Sequence, residues 1–120
     1  MTAYKIITNN PAVDAKFPGQ SCFIEGSVAG IFKSVRDLVH KGANIISHPL
    51  SGSIKPNESP YKSVAVTTAT GPLDMKSLKL IEDAIAILGR LPNRGRNYDE
   101  SVLEDFRIID LDLISNIKII

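Results

Sequence analysis

The residues best suited to chemistry lie in one stretch, His48 to Ser63, reading HPLSGSIKPNESPYKS. It sits between two short apolar runs and carries Pro49, Pro56 and Pro60, three of the chain's seven prolines. Connections longer than ~12–15 residues without secondary structure are uncommon in compact domains and tend to be functional or disordered. Three prolines lower the entropy cost of holding one shape, which argues for an ordered loop. Ser51, Gly52 and Ser53 with Lys55 and Lys62 could surround an anion. Glycine lets backbone N–H groups approach, hydroxyls donate hydrogen bonds, and ammonium groups supply charge. The spacing is not that of a phosphate-binding P-loop. The same residues, with Asn57 and Tyr61, would equally make a hydrogen-bonded structural loop.

Other candidates lie outside this stretch. Asn9 and Asn10 end an apolar run and could bind a polar ligand or close a turn. Ser27 opens a helix, where free N–H groups favour an anion, although a plain cap explains it as well. His48 is placed where an acid or base could act, yet Glu58 is the only carboxylate in its loop. His40 suits the dipole at a helix end. Two histidines on different elements make a poor metal site, and no cofactor is expected. Cys22 is the chain's single cysteine and is expected in the core. Arg90, Arg94 and Arg96 precede an acidic run of Asp99, Glu100, Glu104 and Asp105, and could hold phosphate or pair with those carboxylates.

The elements that would position these groups follow from periodicity. Tyr4–Thr8 reads as a strand, followed by a short helix from Pro11 through Val13 and Phe17. Ser21–Ile24 reads as a weaker strand. A helix over Val28–Lys41 is capped by Ser27 and stopped by Gly42, with Ile31, Phe32, Val35, Leu38 and Val39 as its apolar stripe. Ala43–Ser47 and Ser63–Thr68 read as third and fourth strands flanking the long loop. Asp74 caps a helix over Met75–Leu88, with Leu78, Ile81, Ala84, Ile85 and Leu88 facing the core. In the tail, Val102, Phe106, Ile109, Leu113, Ile117 and Ile120 recur at helical spacing. A strand over Arg107–Ile114 is the rival, with residues 107–120 readable either way; the longer register favours helix.

The expected fold is therefore a single α/β domain over residues 1–120. It is a layered sandwich with a small, mostly parallel sheet of about four strands flanked by helices. Ligands in such sheets bind beyond the carboxyl ends of the strands. That gathers Thr8–Pro11, Glu25–Ser27 and the long loop on one edge. The third-to-fourth connection contains no helix, so antiparallel pairing there would send Thr67–Asp74 to the opposite edge.

Composition bounds the function only loosely. The 120 residues are 43% hydrophobic and 22% charged, with a net charge of +1, which argues against general nucleic-acid binding. No signal peptide or apolar run of membrane-spanning length is visible, so no membrane association is expected and the default location is cytoplasmic. Ile114, Ile117, Ile119 and Ile120 suggest self-association through the last segment, with docking onto the chain's own sheet as the alternative.

Four segments carry a resemblance. They are TNNP at Thr8–Pro11, VRDLVHKG at Val35–Gly42, HPLSGSIKPNESPYKS at His48–Ser63, and LKLIEDAI at Leu78–Ile85. Together they resemble the GrdX family, whose members are encoded with the glycine, sarcosine and betaine reductase complexes of anaerobic amino-acid-fermenting bacteria. The resemblance covers about Tyr4 to Leu88. It implies an accessory role near those reductases, with a reductase subunit or a small anionic ligand as partner, and it carries over no catalytic residue. The alternative from the residues themselves is a small enzyme acting on a polar or phosphorylated metabolite, with His48 or Lys55 as acid or base.

Overall fold

The structure is a computed structural model, and it describes residues 3–50, 57–92 and 97–117. The elements in chain order are β1 (Tyr4–Thr8), α1 (Pro11–Lys16), β2 (Ser21–Phe23), α2 (Val28–His40), β3 (Ser63–Thr67), α3 (Met75–Arg90) and α4 (Glu100–Ser115). The tail is thus helical, and the rival strand over Arg107–Ile114 does not form.

The sheet corrects the expected one. It has three strands in the order β2-β1-β3, not four mostly parallel ones. β1 and β2 run parallel, with Ile6 opposite Ser21 and Thr8 opposite Phe23. β1 and β3 run antiparallel, with Tyr4 opposite Thr67 and Thr8 opposite Ser63. The expected third strand, Ala43–Ser47, is reduced to a single bridge between Ile45 and Val66. The reason lies in its hydrogen bonds. Thr67 N donates to Asn44 O and Ile46 N to Ala65 O. Side chains take the other ladder positions: Asn44 N donates to Thr67 Oγ1, Ile45 N to Ser77 Oγ, and Ala65 N to Ser47 Oγ. The segment runs alongside β3, but hydroxyls satisfy groups that a neighbouring backbone would satisfy in a regular strand.

Strand alternation divides the apolar residues between two faces. Ile7, Val64 and Val66, joined by Ile45, meet Ile31, Phe32, Val35 and Val39 of α2 and Ile81 and Ala84 of α3. On the other face Ile6, Ala65 and Ile46 meet Val13 of α1 and Ile114 of α4. Helices therefore cover both faces, but the α2–α3 side holds most of the core. Ile6, Ile7, Ile31, Val35, Ile45, Val64, Val66 and Ile81 are buried, while Leu38 and Ile85, expected on the core-facing stripes of their helices, pack against the core half-buried. Cys22, expected inside, is exposed, because β2 is the sheet's edge strand.

In α4 the face differs from expectation. Asp110 and Ile114 are buried, whereas Val102, Ile109 and Leu113 are 36–40% exposed. Of the apolar register that locates the helix, Val102, Ile109 and Leu113 are exposed, Phe106 and Ile117 are half-buried, and Ile120 lies outside the described residues.

Antiparallel β3 does send Thr67–Asp74 to the far edge, where the turn packs on the end of α2. Gly42 has a φ of 101°, and a Cβ there would lie 2.2 Å from the backbone oxygen of Gly71. Gly19 also has a positive φ, 80°, but faces open space. Gly42→Ala should therefore cost clearly more than the ~1 kcal/mol expected from an unfavourable φ alone, and Gly19→Ala should stay near that figure. Urea unfolding of both variants checks this; equal losses would mean that the contact with Gly71 carries no weight.

Candidate functional site

β1 ends in Thr8-Asn9-Asn10, and each of these side chains is buried. Asn9 joins three loops. Its Nδ2 donates to Gly26 O and to Pro60 O, both at 2.8 Å, while its Oδ1 accepts from Lys62 N at 2.8 Å. The β1 end, the β2–α2 turn and the last part of the long loop are thus held on one edge, as the sequence predicts.

Asn10 serves the opposite side. Its Oδ1 accepts from Ala12 N and caps α1. Its Nδ2 donates to Arg107 O at 2.9 Å and to Asp110 Oδ2 at 3.0 Å, both in α4. Asp110 Oδ2 also accepts from Ser63 Oγ at 2.7 Å. With that hydrogen committed, Thr8 Oγ1, 2.7 Å from Ser63 Oγ, is the donor to it, and Thr8 Oγ1 itself accepts from Asn10 N. The result is a closed polar network among β1, β3, α1 and α4.

The network is electrostatically costly. Burial pushes the Asp110 carboxyl above its usual range, opposed by the hydrogen bonds from Asn10 and Ser63 and by the charge of Lys62. Burial pushes the Lys62 ammonium below its usual range, opposed by Asp110. The two line a narrow crevice with Ser47, Ser63, Leu113, Ile114 and Ile117. Neighbouring groups extend the network. Arg107 Nη1 donates to Tyr61 Oη, its guanidinium lies 5.6 Å from the Tyr61 ring centre, and it pairs with Glu100. Tyr98 Oη donates to Glu58 O, and its ring meets Phe106 edge-on at 5.1 Å.

On the other side of Asn9 a cleft of about 430 Å³ opens between the start of α2 and the end of α3. Its lining includes Ser27, Ala29, Asn57, Ser59, Leu88 and Leu91. Ser27 Oγ caps α2 by accepting from Gly30 N. Val28 and Ala29, in the first turn, have no intrahelical acceptors for their N–H groups. Asn57 Nδ2 donates to Pro92 O at 2.9 Å.

The predicted site residues therefore separate. Ser27 and Asn57 line the cleft. Asn9 stands between cleft and network, and Asn10 and Lys62 belong to the network. Tyr61 braces the loop against α4. His48 is exposed and lines neither place; its Nδ1 accepts from Leu50 N at 3.1 Å in a local turn. Ser51, Gly52, Ser53 and Lys55 lie outside the described residues, as do Arg94 and Arg96. Among the described residues no cluster of His, Cys, Asp and Glu could hold a metal ion. Thr8, Ser63, Arg107 and Asp110 were not predicted. The available signal was the row Leu103, Phe106, Asp110 and Ile114, which shares one side of α4 but is interrupted by a charge, so a search for apolar stripes passes over it.

Two outcomes follow. Asn9→Ala leaves Gly26 O, Pro60 O and Lys62 N without their partner, and should lower the unfolding free energy by ~2 kcal/mol or more. Asn9→Asp keeps only the acceptor and should be no better; thermal melts of both variants check this. For Asp110, a folded-state pKa above the unfolded one means that the native state binds the extra proton. Stability is fully present below the unfolded value near 3.8 and is lost as pH rises through the folded value. Asp110→Asn keeps an acceptor without the charge, so the parent should lose stability relative to this variant as pH rises across that window. Denaturant titrations from pH 3.5 to 8 would show it, and parallel pH profiles would refute it.

Comparison with known proteins finds a family match over most of the chain. The family model described as GrdX-like protein fits residues 5–118, including the tail in which the motif resemblance was weakest. No curated protein and no solved structure matches the chain. With nearly the whole chain covered by that one family model, the protein belongs to the GrdX-like family.

Proposed function

We propose that this protein is an accessory binding protein of the glycine, sarcosine and betaine reductase system, and that it takes a small anionic ligand in the cleft beside Ser27. The system comes from the family resemblance; the ligand class comes from the cleft. The observation that carries the reading is the placement of the first turn of α2 at a cleft of about 430 Å³. N–H groups there lack intrahelical acceptors, Ser27, Asn57 and Ser59 add polar atoms, and Leu88 and Leu91 supply an apolar wall. Small-molecule sites combine these features: an apolar pocket with a few convergent polar groups. The Lys62 side chain is directed to a different task, since it shares its crevice with Asp110. The enzyme reading has less support, because His48 is occupied in a local turn.

The test is a melting shift with phosphate, sulfate and acetate at ~10 mM. A bound ligand present at a hundred times its Kd stabilises by about 2.7 kcal/mol, a readily measured shift. Ala29→Asp, at the half-buried cleft rim, should abolish the shift while leaving the melt without ligand nearly unchanged. If none of the anions moves the parent's melting temperature, the anion-binding reading is wrong. Purified reductase subunits passed over the immobilised full chain test the accessory role separately; failure to retain any of them removes it.

A further inference from the structure

The outer side of α4 carries more apolar surface than a solvent-facing helix needs. Val102, Ile109 and Leu113, spaced seven and four residues apart, form one stripe at 36%, 40% and 36% exposure, and Ile108 is 54% exposed. The inner side holds Leu111 and Ile114 against the sheet. Exposed apolar residues gathered in one stripe along a helix, rather than scattered singly, mark an interaction surface. Between the stripe and Ile108 run Asp105 and Asp112, seven residues apart and exposed. Neither takes part in any ion pair among the described residues, where the three pairs are Arg36–Glu82, Lys79–Asp83 and Arg107–Glu100.

We propose that this face docks a segment of another protein, one that presents an apolar ridge flanked by lysine or arginine. The charge row selects that occupant over the others. A second α4 packed about a two-fold axis would set Asp105 and Asp112 against their own copies, and like charges at that range are unfavourable. An anionic membrane surface is repelled for the same reason. A basic amphipathic segment satisfies both rows at once, with its apolar residues on Val102, Ile109 and Leu113 and its cations on Asp105 and Asp112. The inference needs neither an occupied cleft nor a reductase subunit as the partner.

The experiment uses the full chain with a photo-crosslinking amino acid in place of Ile109, irradiated in soluble extract of the source cells. The crosslinked peptides are then sequenced. The expected product joins α4 to one segment of a different protein, with apolar residues at helical or alternating spacing and at least two flanking Lys or Arg residues. Its yield should fall about fivefold or more when Asp105→Lys and Asp112→Lys are combined, the loss expected for two charge pairs at a rim. Circular dichroism melts confirm that this exposed double variant still folds. A label at Met75, exposed on a different helix, should not trap the same segment. Crosslinks to other copies of this chain, to a segment without basic residues, or to nothing overturn the proposal, as does a yield indifferent to charge reversal. A basic segment from a protein other than a reductase subunit upholds it, and counts only against the reductase reading.

Discussion

Two adjacent asparagines at the end of β1 hold the molecule together. Successive residues leaving a strand point to opposite faces, so Asn9 and Asn10 reach different halves of the fold. Asn9 spends both ends of its amide on the β2–α2 turn and the long loop. Asn10 spends its own on the cap of α1 and on α4. An amide suits this role because it offers two donors and an acceptor without carrying charge into the interior. The loops at the sheet's edge have little apolar surface of their own. Hydrogen bonds withdrawn from water fix their positions more firmly than packing could.

The two faces of the sheet are held by different physics. On the α2–α3 side, burial of branched and aromatic side chains dominates. On the α1–α4 side the apolar cluster is small, and a polar network centred on Asp110 supplements it. Such a network adds geometric definition at some cost in stability. Burial works against the charge of both Asp110 and Lys62, and their mutual attraction only partly offsets it. The position of α4 thus depends on every member being satisfied. The same position turns an apolar and acidic row outward and, through Arg107 and Tyr98, braces the loop that borders the cleft.

Local signals decided the elements. Ser27 and Asp74 cap α2 and α3 as their types predict, Asn10 caps α1 just ahead of Pro11, and the apolar periodicities of α2 and α3 locate their buried faces. These are interactions within a few residues of sequence, so the chain states them directly. The family was also legible in short motifs, and the family model extends the match across the tail. The convergence of the three loops on one edge was expected from a mostly parallel sheet, and it holds in the mixed one because Asn9 bonds all three.

What needed the tertiary structure were the interactions that join distant residues. The sheet lost its fourth strand because Ser47, Ser77 and Thr67 hydroxyls, remote from one another in sequence, replaced ladder hydrogen bonds along residues 44–47. Asp110 became the centre of a buried network only because α4 lies over the start of β3, bringing Ser63 and Asn10 to one carboxylate oxygen. No periodicity marks such a residue, since a charge reads as solvent-facing until its partners are known. The sequence by itself determined where the helices and the strands β1, β2 and β3 lie, because capping and amphipathic spacing act locally. The fold decided which side of α4 faces inward and which asparagine serves which loop, because those choices depend on groups up to a hundred positions apart meeting away from water.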